Sequence, residues 1–232
     1  MNHTTSPVAG LSEAGYNAVR LGPSLLLLAL LSTAIWMALL YAPTEDTMGE
    51  VQRILYLHVP SAWCGLIGSV ATGAFGLAYL RRRNLAWDRW SQSAAEVSFL
   101  CVTITLMTGS IWAHRAWGVW WTWEPRLTSL LVLWLIYAGM FLIRSEMDNP
   151  HARARVGAVL SVLALADIPM VSMATRWFRG VHPVSPELDG RMRLVLLVAV
   201  LSFTVFFASC VLVRRRHIDP HERVAALEPA VD

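Results

Sequence analysis

Five tryptophans lie within twelve consecutive residues, in a segment that connects two strongly apolar stretches: Trp112, Trp117, Trp120, Trp121 and Trp123. A tryptophan side chain is a flat apolar ring with a single N–H donor, so it favours the boundary between a membrane and water. Tryptophans at such a boundary are ordinarily scattered around a protein. A group this dense predicts a platform on which a flat, apolar molecule docks.

Two histidines flank this segment in the chain. His58 begins the second long apolar stretch, and His182 lies in the last polar connection between such stretches. A lone histidine at a membrane edge is more often a hydrogen-bonded structural residue than a metal ligand. Two imidazoles beside a tryptophan platform fit haem, because its iron accepts one imidazole on each side of a flat apolar ring and its propionates favour arginine.

The tryptophan segment could itself be helical. In a helix, Trp117, Trp120, Trp121 and Glu124 would share one face. Pro125 disfavours helical geometry at the residue before it, so the position of Glu124 on that face stays open.

Long apolar stretches must position these groups. The chain is 56% hydrophobic and 15% charged with a mean hydropathy of +0.49, which is not the composition of a soluble domain. About 20 apolar residues are needed for a helix to cross a bilayer. Six stretches meet this requirement, at about 24–42, 58–80, 93–112, 127–143, 156–175 and 194–213. We predict an all-α bundle of six transmembrane helices over 23–213, flanked by cytoplasmic segments at 1–22 and 214–232.

The arginines give the orientation of this bundle. With the N-terminus inside, the inner segments carry twelve arginines and the outer segments seven. Positive residues concentrate on the cytoplasmic side, so both termini are predicted to be cytoplasmic. The tryptophan segment, His58 and His182 then share the outer face. The net charge of +3 therefore reflects how the protein is oriented in the membrane, and nothing in the sequence indicates nucleic-acid binding.

Other features of the stretches concern packing and buried charge. Four glycines in the second stretch, Gly65, Gly68, Gly73 and Gly76, predict close contact with neighbouring helices.

Asp167 lies two residues before Pro169 inside the fifth stretch, where an ionisable group suggests function. The alternative is a carboxyl group that is protonated or accepts bonds from backbone groups freed by the proline. No cysteine belongs to a C-x-x-C pair, which argues against covalent haem attachment.

The run from Trp117 to Ser129, WGVWWTWEPRLTS, closely resembles the tryptophan-rich signature of the haem-handling proteins of cytochrome c biogenesis. With six spans and a short chain, the resemblance is to the CcmC family in particular, and it extends from about His58 to the last span. The family normally has Asp at the position of Glu124, a small residue at Pro125 and Asn at Asp167.

The resemblance assigns roles to individual residues. It implies that His58 and His182 are the axial ligands of the iron and that the five tryptophans form the platform. Glu124 occupies the acidic position of the motif, and Arg53 and Arg126 would contact the propionates. His114 matches no ligand of the family and is interpreted as a surface residue.

The function implied is transfer of haem b, not catalysis. Such a protein sits in the bacterial inner membrane, presents haem on the periplasmic face and loads it onto the haem chaperone CcmE. Its expected partners are the small subunit CcmD and the transporter subunits CcmA and CcmB. Two alternatives stay open from the residues: a membrane b-type cytochrome that transfers electrons, and a small-molecule transporter with a tryptophan-lined outer site.

Overall fold

The protein folds as a bundle of six long helices. We describe it from a computed structural model, which defines the backbone of residues 13–178 and 188–225 and the side chains of 22–178 and 188–218. The helices are α1 (Glu13–Trp36), α2 (Leu55–Arg82), α3 (Leu85–Trp117), α4 (Pro125–Ser145), α5 (Pro150–Trp177) and α6 (Gly190–Ala225). Each is long and apolar enough to cross a membrane, and no strand occurs in these ranges. The prediction of an all-α, six-span membrane protein is confirmed. His182 lies outside the described residues.

The helices extend further than the apolar stretches. The apolar part of α3 covers 93–112, yet the helix runs from Leu85 to Trp117. Asn84 caps its start by accepting a hydrogen bond from the backbone N–H of Ala86 at 2.8 Å. The connection between α2 and α3 is therefore only Arg83 and Asn84, much shorter than the gap at 81–92 between the second and third apolar stretches. Hydropathy marks the part of a helix inside the bilayer, while polar residues outside it remain helical. Likewise, α1 and α6 extend into segments 1–22 and 214–232.

Helix α2 lies at the centre of the bundle and packs on α3, α5 and α6. Its glycines face these neighbours at close range, as the sequence predicted. Gly65 faces Val102, Gly68 faces Ser98 and Phe207, Gly73 faces Leu165, and Gly76 faces Ser161 and Ala158. In contrast, α1 contacts mainly α6 and is mostly exposed on its outer surface.

A buried ion pair joins three helices at the end of the bundle opposite the tryptophans. Arg144 of α4 donates two hydrogen bonds to Asp88 of α3, at 2.7 and 3.0 Å. It also donates to the side chain of Gln92 at 2.7 Å and to the backbone carbonyl of Arg153 on α5 at 3.3 Å. Because each buried charge has its partner, the pair fixes the relative position of α3, α4 and α5.

The packing of α2 on α5 can be tested at Gly73. A Cβ atom there would lie 2.5 Å from Cβ of Leu165, so Gly73→Ala forces the helices apart and should destabilise the protein by about 1–3 kcal/mol. Gly139→Ala on α4 is the matched control, because nothing lies within 4 Å of the added methyl group. Thermal unfolding of both variants in detergent measures the difference. Equal melting temperatures for the two would contradict the close contact.

Candidate functional site

A narrow cleft lies between α2, α3, α4 and α5, next to the tryptophan segment. Four residues singled out from the sequence line it together: His58, Trp112, Trp121 and Arg126. The remaining lining consists mainly of aliphatic side chains and Gly109, with one hydroxyl from Thr105. Its interior volume is about 60 Å³, room for about two water molecules. A metalloporphyrin is far larger than this volume, so the cleft could admit no more than an edge of such a ring, with the rest lying across its mouth.

The imidazole of His58 is oriented by α3. Its Nδ1 lies 3.0 Å from Oγ1 of Thr108. The Thr108 hydroxyl donates its own proton to the backbone carbonyl of Ile104 at 2.7 Å, so it can only accept from the ring. With the Thr108 hydroxyl accepting, Nδ1 carries the proton, and a neutral ring then has its lone pair on Nε2. That is the tautomer in which Nε2 can bind a metal, with its partner N–H anchored by an outer hydrogen bond.

Gly109 gives this ring the space it needs. A Cβ atom on Gly109 would lie 3.0 Å from Cε1 of His58. Neither Thr108 nor Gly109 was identified from the sequence. The signal was present, because Thr108 and Trp112 are one helical turn apart and lie on the same face of α3.

The tryptophan segment is not a continuous helix. Helix α3 ends at Trp117, because Gly118 adopts a left-handed conformation with φ of +72°. Glu124 is extended, with φ of −72° and ψ of 154°, as the following proline requires, and α4 begins at Pro125. The possibility that the tryptophan segment is one helix with Trp117, Trp120 and Trp121 on a single face is therefore excluded, and the position of Glu124, which the sequence left open, is extended.

The five tryptophans divide between the wall of the cleft and the surface. Trp112 packs edge-on against Trp117, with ring centroids 4.9 Å apart, and Trp121 packs edge-on against Trp123 at 5.8 Å. Trp112 and Trp121 line the cleft. Trp120 is 58% exposed and Trp123 is 76% exposed, so much of the surface of both rings is open to contact with another molecule. Flat aromatic surface thus continues from the cleft outward.

His114 belongs to this aromatic surface. Its ring stacks on Trp120, with centroids 4.1 Å apart and planes within 6° of parallel. It is half-buried, and the interpretation of His114 as a surface residue did not include this contact. Sequence spacing did not reveal the contact, because the chain reverses direction at Gly118 between the two residues.

The two arginines expected near the propionates lie in different places. Arg126 lines the cleft and interacts electrostatically with the Glu124 carboxylate. Arg53 pairs with Glu50 and donates to the backbone carbonyls of Ala38 at 2.6 Å and Ala42 at 3.3 Å. Ala38 lies within the wide π-helical turn Met37–Tyr41, which follows α1, and Ala42 comes directly after that turn. Arg53 therefore holds the end of α1 and does not line the cleft with His58.

Asp167 is half-buried on α5. Its Oδ2 atom is shielded from solvent and has no hydrogen-bond partner among the described residues. The expectation that this carboxylate accepts bonds from the backbone near Pro169 is not met at that atom.

Comparison with known proteins gives a consistent result. The family profile described as "Heme exporter protein C" (CcmC) matches residues 12–228. The chain is 32% identical to the heme exporter protein C of Escherichia coli strain K12 over 186 residues, covering 77% of this chain and 74% of the relative. It is 30% identical to that of Bradyrhizobium diazoefficiens over 194 residues, covering 81% and 74%. A putative ccmC-like mitochondrial protein of Marchantia polymorpha is 29% identical over 181 residues, covering 77% of each chain. The match over residues 12–228 and the two relatives of at least 30% identity show that the chain belongs to the heme exporter protein C family.

Proposed function

We propose that this protein binds haem b across the mouth of the cleft and presents it to a partner for cytochrome c maturation. The family is one of haem-exporter components and not of enzymes. The observation that carries the proposal is the meeting of His58, Trp112, Trp121 and Arg126 in one cleft, continuous with exposed Trp120 and Trp123. One site thus combines an imidazole, flat apolar surface and a cation, which are the three chemistries that haem requires.

His58 is the axial ligand for which the local geometry argues most directly. Its Nε2 carries the lone pair, and the hydrogen bond to Thr108 restricts the ring. His182 is proposed as the second ligand, on the basis of the sequence alone. Indole faces from the tryptophan segment would cover the porphyrin, adding apolar contact that retains the cargo without a covalent bond.

Arg126 is proposed to set which edge of the porphyrin faces outward. A guanidinium binds a propionate through charge-assisted hydrogen bonds, and a vinyl group cannot replace that contact. One pairing at Arg126 would thus point the propionate edge inward and leave the vinyl edge toward a partner. Arg53 is less suited to bind a propionate, because its N–H groups already donate to the Glu50 carboxylate and to the backbone carbonyl of Ala38.

The proposed cellular setting is supported by the family and by the charge distribution. The relatives are named as heme exporter proteins. The partners proposed are those that the sequence resemblance implies: CcmA, CcmB and CcmD in an exporter complex, and CcmE as the recipient of haem. The excess of arginines on one side of the bundle supports a site facing the periplasm from the bacterial inner membrane. The exposed rings of Trp120 and Trp123 are suited to contact with a partner during transfer.

Replacement of the two proposed ligands tests the iron site. His58→Ala or His182→Ala should remove the low-spin bis-imidazole absorption spectrum of the purified protein and block loading of CcmE. His217→Ala is the control, because His217 is exposed on α6 at the opposite end of the bundle. A normal Soret band and normal loading in both ligand variants would refute the assignment.

Thr108 provides a finer test of the His58 geometry. Thr108→Val keeps the shape but removes the acceptor for Nδ1–H, so haem affinity should fall about tenfold and the reduction potential should rise. Thr108→Ser restores the hydroxyl and should restore both values. Redox titration monitored by absorption measures the potential. If Val and Ser variants behave alike, the hydrogen bond has no influence on the ligand.

Arg126→Gln separates orientation from ligation. The iron spectrum should be retained, while the rate of transfer to CcmE falls roughly tenfold, the size of one lost charge-assisted hydrogen bond. Arg115→Gln removes the same charge from an exposed position near the end of α3 and should transfer haem normally. Equal transfer rates in the two variants would rule out the orienting role.

A further inference from the structure

Trp121 carries a polar group that a purely stacking role for its ring does not use. Its side chain lines the cleft together with His58 and Arg126. The Nε1 atom of its indole is shielded from solvent and has no hydrogen-bond partner among the described residues. An indole N–H can only donate, and buried donors in folded proteins nearly always have an acceptor. The wall of the cleft thus holds an N–H group suited to an acceptor on a ligand.

Other indole N–H groups in the bundle are satisfied by hydroxyl groups of neighbouring helices. Trp63 donates to Oγ1 of Thr204 at 3.2 Å, and Trp134 donates to Oγ1 of Thr103 at 2.9 Å. Packing in this protein can therefore supply an acceptor to a tryptophan. Trp121, which lines the cleft, differs from both in that its N–H has no such partner in the described part of the chain.

Arg126 supplies a cation to the same cleft, but the protein itself offsets part of its charge. Its guanidinium interacts electrostatically with the Glu124 carboxylate. A neutral donor such as the indole N–H of Trp121 adds a hydrogen bond without adding charge. An anionic group in the cleft would therefore have both a charged donor and a neutral one.

The chemistry of haem b identifies the acceptor. The ring nitrogens bind the iron, and the methyl and vinyl groups accept no hydrogen bonds, so only the propionate oxygens can accept from an indole N–H. The cleft has an interior volume of about 60 Å³, room for about two water molecules, which suits a carboxylate group at the edge of a porphyrin. A propionate placed there would lie between walls that carry both donors.

We propose that the indole N–H of Trp121 donates to a haem propionate in the cleft, together with Arg126, and that these donors select porphyrins with free carboxylates over their neutral esters. The inference rests on the proposed haem function and deepens it, because Trp121 then determines which porphyrin binds as well as covering its face. A site with buried donors discriminates against a ligand that leaves them poorly paired.

Haem b and its dimethyl ester are the probes that test this role, with the purified full-length protein in detergent and titration of the Soret band as the measurement. The unmodified protein should prefer the acid. Trp121→Phe keeps an aromatic ring but removes the N–H, so its preference for the acid over the ester should fall about tenfold. Trp36→Phe is the matched control, since it makes the same change at an exposed position on α1 and should leave both affinities unchanged. Partition of each probe into detergent is the same for every variant and cancels in this comparison.

The outcomes separate this inference from the proposed function. Equal affinity of the unmodified protein for the two probes, or an unchanged preference in Trp121→Phe, would overturn the donor role while haem binding stands. Failure of the unmodified protein to bind either probe would refute the proposed function and this inference with it.

A second measurement applies if Trp121→Phe does not fold. In the unmodified protein labelled with nitrogen-15 tryptophan, zinc protoporphyrin IX should move one indole N–H proton resonance downfield relative to the dimethyl ester of the same porphyrin. Identical indole spectra with the acid and the ester would overturn the proposal.

Discussion

The close, antiparallel packing of α2 on α3 is the constraint from which the candidate haem site follows. A connection of only Arg83 and Asn84 fixes the register of the two helices. The same register pairs Gly68 with Ser98, Gly65 with Val102, and His58 with Thr108 and Gly109. Small residues on α2 permit this approach because a larger side chain would force the backbones apart. The orientation of one imidazole therefore depends on contacts spread over several helical turns.

The site combines a fixed part with an irregular one. His58, Thr108 and Trp112 lie on long helices, whereas residues 119–124, which include Trp120, Trp121 and Trp123, lie between the break at Gly118 and the start of α4 at Pro125. Helical positions hold a ligand more precisely than a connecting segment does. A connecting segment, however, can present aromatic faces at several angles, as the edge-on and stacked pairs of this segment show. The proposed iron ligand His58 is thus held by helices, whereas most of the aromatic surface that would cover a porphyrin lies on a connecting segment.

Much of the architecture was accessible from the sequence, because apolar length and glycine spacing report directly on membrane helices and their contacts. Of the residues that the sequence grouped into one site, His58, Trp112, Trp121 and Arg126 line a common cleft, whereas Arg53 does not. Contacts that depend on local backbone geometry were not predicted. Gly118 turns the chain so that Trp120 returns to His114, and the π-helical turn at the end of α1 exposes carbonyls that bind Arg53. Neither a reversal nor a widened turn leaves a periodic pattern, so spacing alone could not assign these residues.

The small volume of the cleft bears on how a cargo is released. A pocket that enclosed a porphyrin would bury nearly all of its apolar surface, and each buried Å² adds about 25 cal/mol to retention. A cleft of about 60 Å³ can bury only an edge, so most of the ring would rely on the surface tryptophans and on axial ligation. Contacts at an exposed surface can be exchanged one at a time for contacts with a partner. Such a site would therefore favour transfer of a cargo over its storage, which is the behaviour that the proposed role in presenting haem requires.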